Sequence, residues 1–297
     1  MPKLSLIISL ICLLSNNCTV LKAQTITEEF QFAQYLIDRK MYQEAIWLLS
    51  EIQEIDSLSN QKKDSLYFLL GEVHYQQKNL DSAIIWYEKV NDKSSSYYLK
   101  TKLFEAFLNA NLGEKTKADS VLNLIDTVQV SKDEIIQENI LFQKMSMALL
   151  QRELDKYQKL HSTPYSPHFS TQKQRESLEK FYTDIQNFKP KSAFLAGFFS
   201  TILPGSGKIY AGKLGQGISS LLQCTALGLQ TWEAYRKKPT FENNPRLWIY
   251  GGLFSVFYIG NIWGSSLSVH VRQQEFNDTI DDQILFNMHI PLRTVFR

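Results

Sequence analysis

Tyr67-Phe68-Leu69-Leu70-Gly71, followed by Leu80-Asp81-Ser82-Ala83-Ile84-Ile85-Trp86-Tyr87 and Val90, is the stretch on which the fold turns. Both parts carry apolar residues at helical spacing. Gly71 on the first helix has no side chain to hold a second helix away, and Ala83 supplies the matching small contact. Tyr67, Leu70, Tyr87 and Val90 then fill the space between neighbouring helix pairs, with Trp86 beside them. Two further segments align on this one. Phe32-Ala33, Tyr42, Ala45, Leu49 and Ile52 precede it; Ala106, Ala118, Leu122 and Ile125 follow. The anchors Ala45, Ala83 and Ala118 stand 38 and 35 positions apart. A period of that size signals stacked two-helix modules.

The pattern resembles the tetratricopeptide repeat, whose period is about 34 residues. Gly71, Ala83 and Tyr87 match that family's positions, whereas Glu105 and Lys115 fall where it places apolar or aromatic residues. The resemblance implies two repeats and a degenerate third, forming an all-α solenoid over residues 24–188. Such arrays offer a concave groove for peptides or proteins, here around Tyr67, Gly71, Ala83, Trp86 and Tyr87. A spacer or a dimerisation element would need no groove. Past Ile125 the chain stays helical through Ile135–Leu150. A proline-containing loop follows at Ser162–Pro167. A helix over Ser170–Phe188 then carries Leu178, Phe181, Tyr182, Ile185 and Phe188 on one face.

At Lys189-Pro190-Lys191 the composition changes. Leu247–Val269 contains no Lys, Arg, Asp or Glu. Its length matches a hydrocarbon core of about 30 Å at about 1.5 Å per residue. Ile218–Trp232 is shorter and more polar, and Ser192–Leu203 is shorter again. Small residues recur at every fourth position: Ser192, Ala196 and Ser200; Ser220, Cys224 and Gly228; Gly260, Gly264 and Ser268. In lipid, close backbone approach through such ridges drives helix association. Residues 189–271 are therefore expected to form a transmembrane helical bundle, with Gly260, Asn261 and Gly264 packing against neighbours. Four basic residues, Arg236, Lys237, Lys238 and Arg246, lie between the two later spans, and the positive-inside rule places that loop in the cytoplasm. An exported repeat domain then requires Ser192–Leu203 to dip into the bilayer without crossing; three full crossings would instead put the four basic residues outside.

Pro204, Gly205, Gly207, Lys208, Tyr210, Gly212 and Lys213 resemble the short connection of a small two-span bacterial membrane domain family over roughly residues 192–232. Ile209 departs from the aromatic residue expected there. The resemblance implies an architecture and no chemistry. The same glycines imitate a phosphate-binding loop. Leu214 occupies the hydroxyl position that such a loop needs, and an apolar helix precedes it, so nucleotide binding is not expected. Lys208 and Lys213 are expected at lipid head groups.

At the N-terminus, Lys3, the apolar run Leu4–Leu14 and Ala23 read as a secretory signal over residues 1–23. Asn16 and Asn17 before Cys18 are poor substitutes for the small residues that lipid modification needs. Cys12 and Cys18 leave with the signal, so Cys224 has no internal disulfide partner. The net charge of +2 gives no footprint for nucleic acid. No two of His74, His161, His168, His270 and His289 stand at metal-ligand spacing, and no nucleophile motif is present. Neither an enzyme nor a cofactor is expected. The expectation is an exported helical-repeat scaffold at the bacterial inner membrane, its repeats in the periplasm, with a protein partner, the lipid bilayer and self-association as its contacts. A small transport or membrane-assembly component regulated by its repeats is the other expectation. The tail 272–297 includes the β-prone run Ile284–Ile290.

Overall fold

Four turns carry one backbone signature. Lys40, Lys78, Gly113 and Arg152 all adopt left-handed φ angles, of 62°, 61°, 87° and 62°. Each closes a helix by the same pair of hydrogen bonds. Lys78 N–H donates to the Tyr75 carbonyl at 2.9 Å and Asn79 N–H to the His74 carbonyl at 2.9 Å. Lys40 and Met41, Gly113 and Glu114, and Arg152 and Glu153 repeat the arrangement. This is the Schellman closure, which satisfies the last carbonyls of a helix while reversing the chain.

The structure is a computed structural model and describes residues 26–55, 58–125, 134–163, 169–237 and 244–295. The expected signal segment lies outside them, as do His168, Lys238 and the prolines of the 162–167 loop. The described residues are helical, with no strand among them. The four turns join α1 (26–38) to α2 (Tyr42–Gln53), α3 (Asn60–Gln76) to α4 (Leu80–Glu88), α5 (Tyr98–Asn111) to α6 (Lys115–Leu124) and α7 (Glu134–Leu150) to α8 (Leu154–His161). Consecutive hairpins pack on one another through α2 and α3, α4 and α5, and α6 and α7.

A common register runs through these hairpins. Seven positions before each turn residue stand Ala33, Gly71, Ala106 and Met145, and five after it stand Ala45, Ala83, Ala118 and Tyr157. All eight are buried. At Gly71 an added Cβ would lie 2.3 Å from Cε1 of Tyr87, whose ring is fully buried. The second hairpin is thus closed by an aromatic ring laid on a bare backbone. The fourth pair breaks the small-residue rule with Met145 and Tyr157, which is why its period is not visible in composition. Glu105, out of pattern in sequence, is 4% exposed and pairs with Lys102 at 2.8 Å. Burial pushes the Glu105 carboxyl up, and Lys102 partly opposes this. A buried pair seldom stabilises more than an apolar replacement of equal volume. The double substitution Lys102→Met with Glu105→Leu is therefore expected to be neutral or stabilising by about 1–4 kcal/mol in urea unfolding. A loss comparable to that of Glu105→Leu alone would refute it.

Two compact units share the chain: one comprises the hairpins up to Lys180 together with the segment from Ile284 onward, the other Phe181–Gln283. The run Ile284–Ile290, expected to be β-prone, is helical and belongs to α13 (Pro245–Val295). Its residues Ile284, Met288 and Leu292, spaced at i, i+4 and i+8, are fully buried in the repeat unit. Helical periodicity and a buried stripe outweigh local β-propensity here. Between α8 and α13 lie α9 (Phe169–Asn187), α10 (Ala193–Ile202), α11 (Ser206–Tyr210) and α12 (Leu214–Lys237).

Asn244 caps α13, accepting from Leu247 N–H at 3.2 Å, with Pro245 at the first helical position. No helix among the described residues is long and apolar enough to cross a membrane. This differs from the expected spans at Leu247–Val269 and Ile218–Trp232. Gly251, Gly252, Asn261, Ser265, Ser266 and Ser268 dilute the first; Ser219, Ser220, Gln223, Gln230 and Thr231 dilute the second.

Candidate functional site

In the repeat unit, the first helices of the second and third hairpins meet the C-terminal segment. The His289 ring stacks on Phe107, with centroids 5.1 Å apart and planes 4° from parallel, and stands edge-on to Tyr75. Its Nε2 shares a hydrogen bond with the Tyr75 hydroxyl. Burial holds the Tyr75 phenol up to about 12, helped by the Glu72 carboxylate. Burial also holds the His289 imidazole below its usual 6.5, with the Arg293 guanidinium acting in the same direction. Both groups are therefore neutral at pH 7.

The sign of the pH dependence follows. A histidine whose folded pKa is depressed favours the docked form fully above about 6.5, and that contribution is lost as pH falls through the folded value. Amide exchange across residues 284–295 is expected to be faster at about pH 5.5 than at about pH 7.5 once intrinsic chemical exchange is corrected. His289→Phe should abolish the difference. Equal protection at both pH values would refute the arrangement.

The sequence-identified groove residues divide. Gly71, Ala83 and Tyr87 are buried and hold the hairpin together, so they offer no surface. The Tyr87 hydroxyl donates to Glu72 at 3.5 Å. Tyr67 and Trp86 stay half-exposed and stack at 6.0 Å, with the Lys89 ammonium 3.7 Å from the Trp86 ring centroid. Trp47 and Ile85, each seven positions past its turn residue, are exposed on the second helices. The sequence pattern did not single out these two.

The second unit is organised around small residues. Gly205, left-handed at φ 85°, sits so close to α12 that a Cβ would lie 2.1 Å from the Gly217 carbonyl oxygen. A Cβ on Gly207 would lie 1.8 Å from the Ala196 carbonyl oxygen. Gly207 N–H donates to Ser200 Oγ at 3.0 Å, and Ser200 Oγ bonds Ser265 Oγ at 2.7 Å. Pro204 and Gly205 end α10; Gly212, at φ 90°, begins the turn into α12. The Ser192 N–H donates to the Tyr210 hydroxyl at 3.4 Å. The linker motif thus folds through close backbone contacts at Gly205 and Gly207, whereas Gly212 has only the Arg272 side chain near it, at 4.0 Å. Helix α12 runs antiparallel to the first part of α13. The Asn244 amide donates to the Ala234 carbonyl, Thr231 faces Gly251, and Gly228 faces Phe254.

No family model, no curated protein and no solved structure matches this chain.

Among the expected packing residues, Asn261 is 5% exposed, and both its amide nitrogen and oxygen lack hydrogen-bond partners. Gly260 and Asn261 line a cavity of about 300 Å³ with Lys208, Ser220, Gln223 and Cys224. Gly264 faces the Lys208 side chain: a Cβ there would be 3.6 Å from Cε. A larger cavity of about 560 Å³ lies between Trp232 and Trp248; its lining carries no Asp, Glu, Lys, Arg or His. Among the described residues no group of three or more His, Cys, Asp or Glu is placed to hold a metal ion.

Proposed function

We propose that this chain is a membrane-held, non-enzymatic scaffold, in which the second unit lies in the bilayer and the hairpin unit presents a surface to a protein on the exported side. One observation carries the reading: between Ala193 and Ser268 the second unit is mainly apolar outside and small or polar inside. Trp263 is 82% exposed, Phe194 79%, Ile202 69% and Val256 68%, while Ser200 and Ser265 are fully buried. Water-soluble folds arrange these types the other way, because exposed apolar area is unfavourable by about 25 cal/mol per Å². Hydrocarbon removes that penalty and leaves small-residue packing and interior hydrogen bonds to hold the helices together. A mean over any stretch of helix blends its two faces, so the low hydropathy found along α12 and α13 is compatible with a lipid-facing stripe. Helix α12 spans about 36 Å at about 1.5 Å per residue, against a hydrocarbon core of about 30 Å. Helix α10 is ten residues long and ends at a reversal, in keeping with a segment that enters and turns back.

For the hairpin unit, the resemblance to tetratricopeptide repeats and the stacked register support protein recognition. The surface near Tyr75 and Phe107 already holds the chain's own C-terminal helix. The partner therefore belongs on the row formed by Trp47, Ile85, Trp86 and Tyr67. The test uses the intact protein in native membranes. Alkaline carbonate washing is expected to leave it in the pellet, and non-ionic detergent to release it. Recovery in the carbonate supernatant would end the membrane reading. Recovery as a detergent-free oligomer would assign the apolar exterior to self-association instead.

A further inference from the structure

Lys208 lies on α11 beside the exposed Ile209, and its ammonium donates to Ser220 Oγ on α12 at 2.7 Å. No carboxylate pairs with it among the described residues, and the cavity beside it is lined by none. Its neighbour in sequence terms, Lys213, is served differently, meeting Glu275 at 2.6 Å. Gly264, which faces Lys208, precedes Arg272 by eight residues, or about 12 Å of helix. Arg272 and Glu275 mark the level of the polar end. The Lys208 charge thus stands beside α13 about two turns before Arg272, hydrogen-bonded to the Ser220 hydroxyl.

A half-buried ammonium bonded to one hydroxyl keeps two N–H donors to spare, and a basic group among apolar helices is a candidate ligand site. The second observation is independent of charge. Asn261, on α13, is buried with its amide entirely unsatisfied and lines the same cavity. An unmade amide hydrogen bond in a buried position is unfavourable unless something fills it. Whichever way the amide is turned, it offers both a donor and an acceptor. Gln223 and Ser220 add further polar atoms on the α12 side, and Val256 and Phe257 give the mouth an apolar edge. The lining combines a positive charge, several neutral donors, one unsatisfied acceptor and a greasy rim.

Resting on the bilayer reading of this unit, we propose that the cavity between α11, α12 and α13 binds a phosphate oxyanion, with Lys208 as its counter-charge and the Asn261 amide as its orienting group. The oxyanion fills the two ammonium N–H positions not used by Ser220 and accepts from the amide of Asn261. The amide oxygen is left for a hydroxyl, which a glycerol or inositol head group supplies next to its phosphate. The volume of about 300 Å³ accommodates a head group, and the acyl chains would leave past Val256 and Phe257. The same phosphate chemistry could be presented by a lipid or by a free ion, and the experiment separates these sources.

The full chain is purified in a neutral detergent, and its thermal unfolding is followed during titration with phosphatidylglycerol, phosphatidylcholine or inorganic phosphate. Phosphatidylglycerol is expected to raise the midpoint in a saturable manner, with phosphatidylcholine at least roughly tenfold weaker. Lys208→Gln is expected to reduce the phosphatidylglycerol affinity roughly tenfold or more, in line with loss of a charge-assisted hydrogen bond. Asn261→Leu should weaken it while raising the midpoint of the unliganded protein, since it removes an unsatisfied amide. That combination is not produced by a merely damaged fold. Lys213→Gln serves as the comparison and should retain binding. Saturable protection by inorganic phosphate that is lost in Lys208→Gln would support the site with a soluble ligand. Equal response to both lipids, or unchanged affinity in Lys208→Gln, would overturn the site even if the protein stays in carbonate-washed membranes. Release from those membranes would instead remove the bilayer reading on which it rests.

Discussion

Gly207→Ala is expected to collapse the second unit, whereas Gly252→Ala, in the same unit, should leave it intact. The added methyl at position 207 would sit 1.8 Å from the Ala196 carbonyl oxygen, 2.7 Å from its carbon and 2.7 Å from Ser200 Oγ. Two of those atoms are backbone, so no rotamer change relieves the overlap. Helices α10 and α11 would have to separate, breaking the Gly207 to Ser200 hydrogen bond and exposing the Ser200–Ser265 pair behind it. Overpacking usually costs about 1–3 kcal/mol. With main chain on the far side and two hydrogen bonds involved, the cost is expected to exceed about 3 kcal/mol. Nothing lies within 4 Å of a Cβ at Gly252 or Gly215. Alanine at those helical positions should therefore be neutral or gain up to about 1 kcal/mol from propensity. Detergent-solubilised variants compared by thermal unfolding and size-exclusion profile decide the matter. Matching profiles for Gly207→Ala and Gly252→Ala would show that α10 and α11 do not approach as described.

Ending the chain after Gln283 is the second large effect. It removes three fully buried side chains, Ile284, Met288 and Leu292, and takes the His289 ring off Phe107 and Tyr75. Leu, Ile or Met to Ala changes in a core cost about 2–5 kcal/mol each, and a domain has only about 5–15 kcal/mol in total. The truncated chain is expected to lose cooperative unfolding of its hairpins, or to unfold at a much lower temperature. It should also bind a hydrophobic dye through the bared surface near Phe107. A synthetic peptide of residues 284–295 supplied in trans should restore part of the midpoint and displace the dye. Met288→Ala alone should lower hairpin stability by about 2–5 kcal/mol. An unchanged midpoint after truncation would place the C-terminal helix outside the hairpin core.

The hairpins were legible where they obey the small-residue rule. Ala45, Gly71, Ala83 and Ala118 announce a close approach, and the structure places each at a helix contact. The fourth hairpin was not legible, because Met145 and Tyr157 occupy the equivalent positions with large side chains. Its signature survives in backbone geometry, at a left-handed Arg152, and φ is not written in composition. Sequence alone assigns Tyr87 to a partner groove, although its ring is sealed against Gly71. An aromatic residue on an amphipathic face looks the same in sequence whether it packs inward or recruits a partner. The C-terminal segment misled for a related reason: Ile284–Ile290 is locally β-prone, and only its burial against the hairpins fixes it as helix. In the second unit, spacing marks Gly260, Asn261 and Gly264 for packing; Gly264 does face Lys208, but nothing lies within 4 Å of a Cβ at Gly260 and the Asn261 amide has no partner. The link to Lys208 was not legible, because it joins residues more than fifty positions apart through a reversal built on glycine.

The hairpin unit is written in two pieces, up to Lys180 and from Ile284, with Phe181–Gln283 between them. The apolar unit is therefore a guest inserted into a host, and two covalent strands tie it there instead of one hinge. A protease that clips the guest once would sever the polypeptide without freeing either part, since the host's own end stays clasped by its hairpins. Shedding would require a second cut, or acid strong enough to loosen that clasp. A protein arranged this way can be nicked and still run as a single particle until it is denatured.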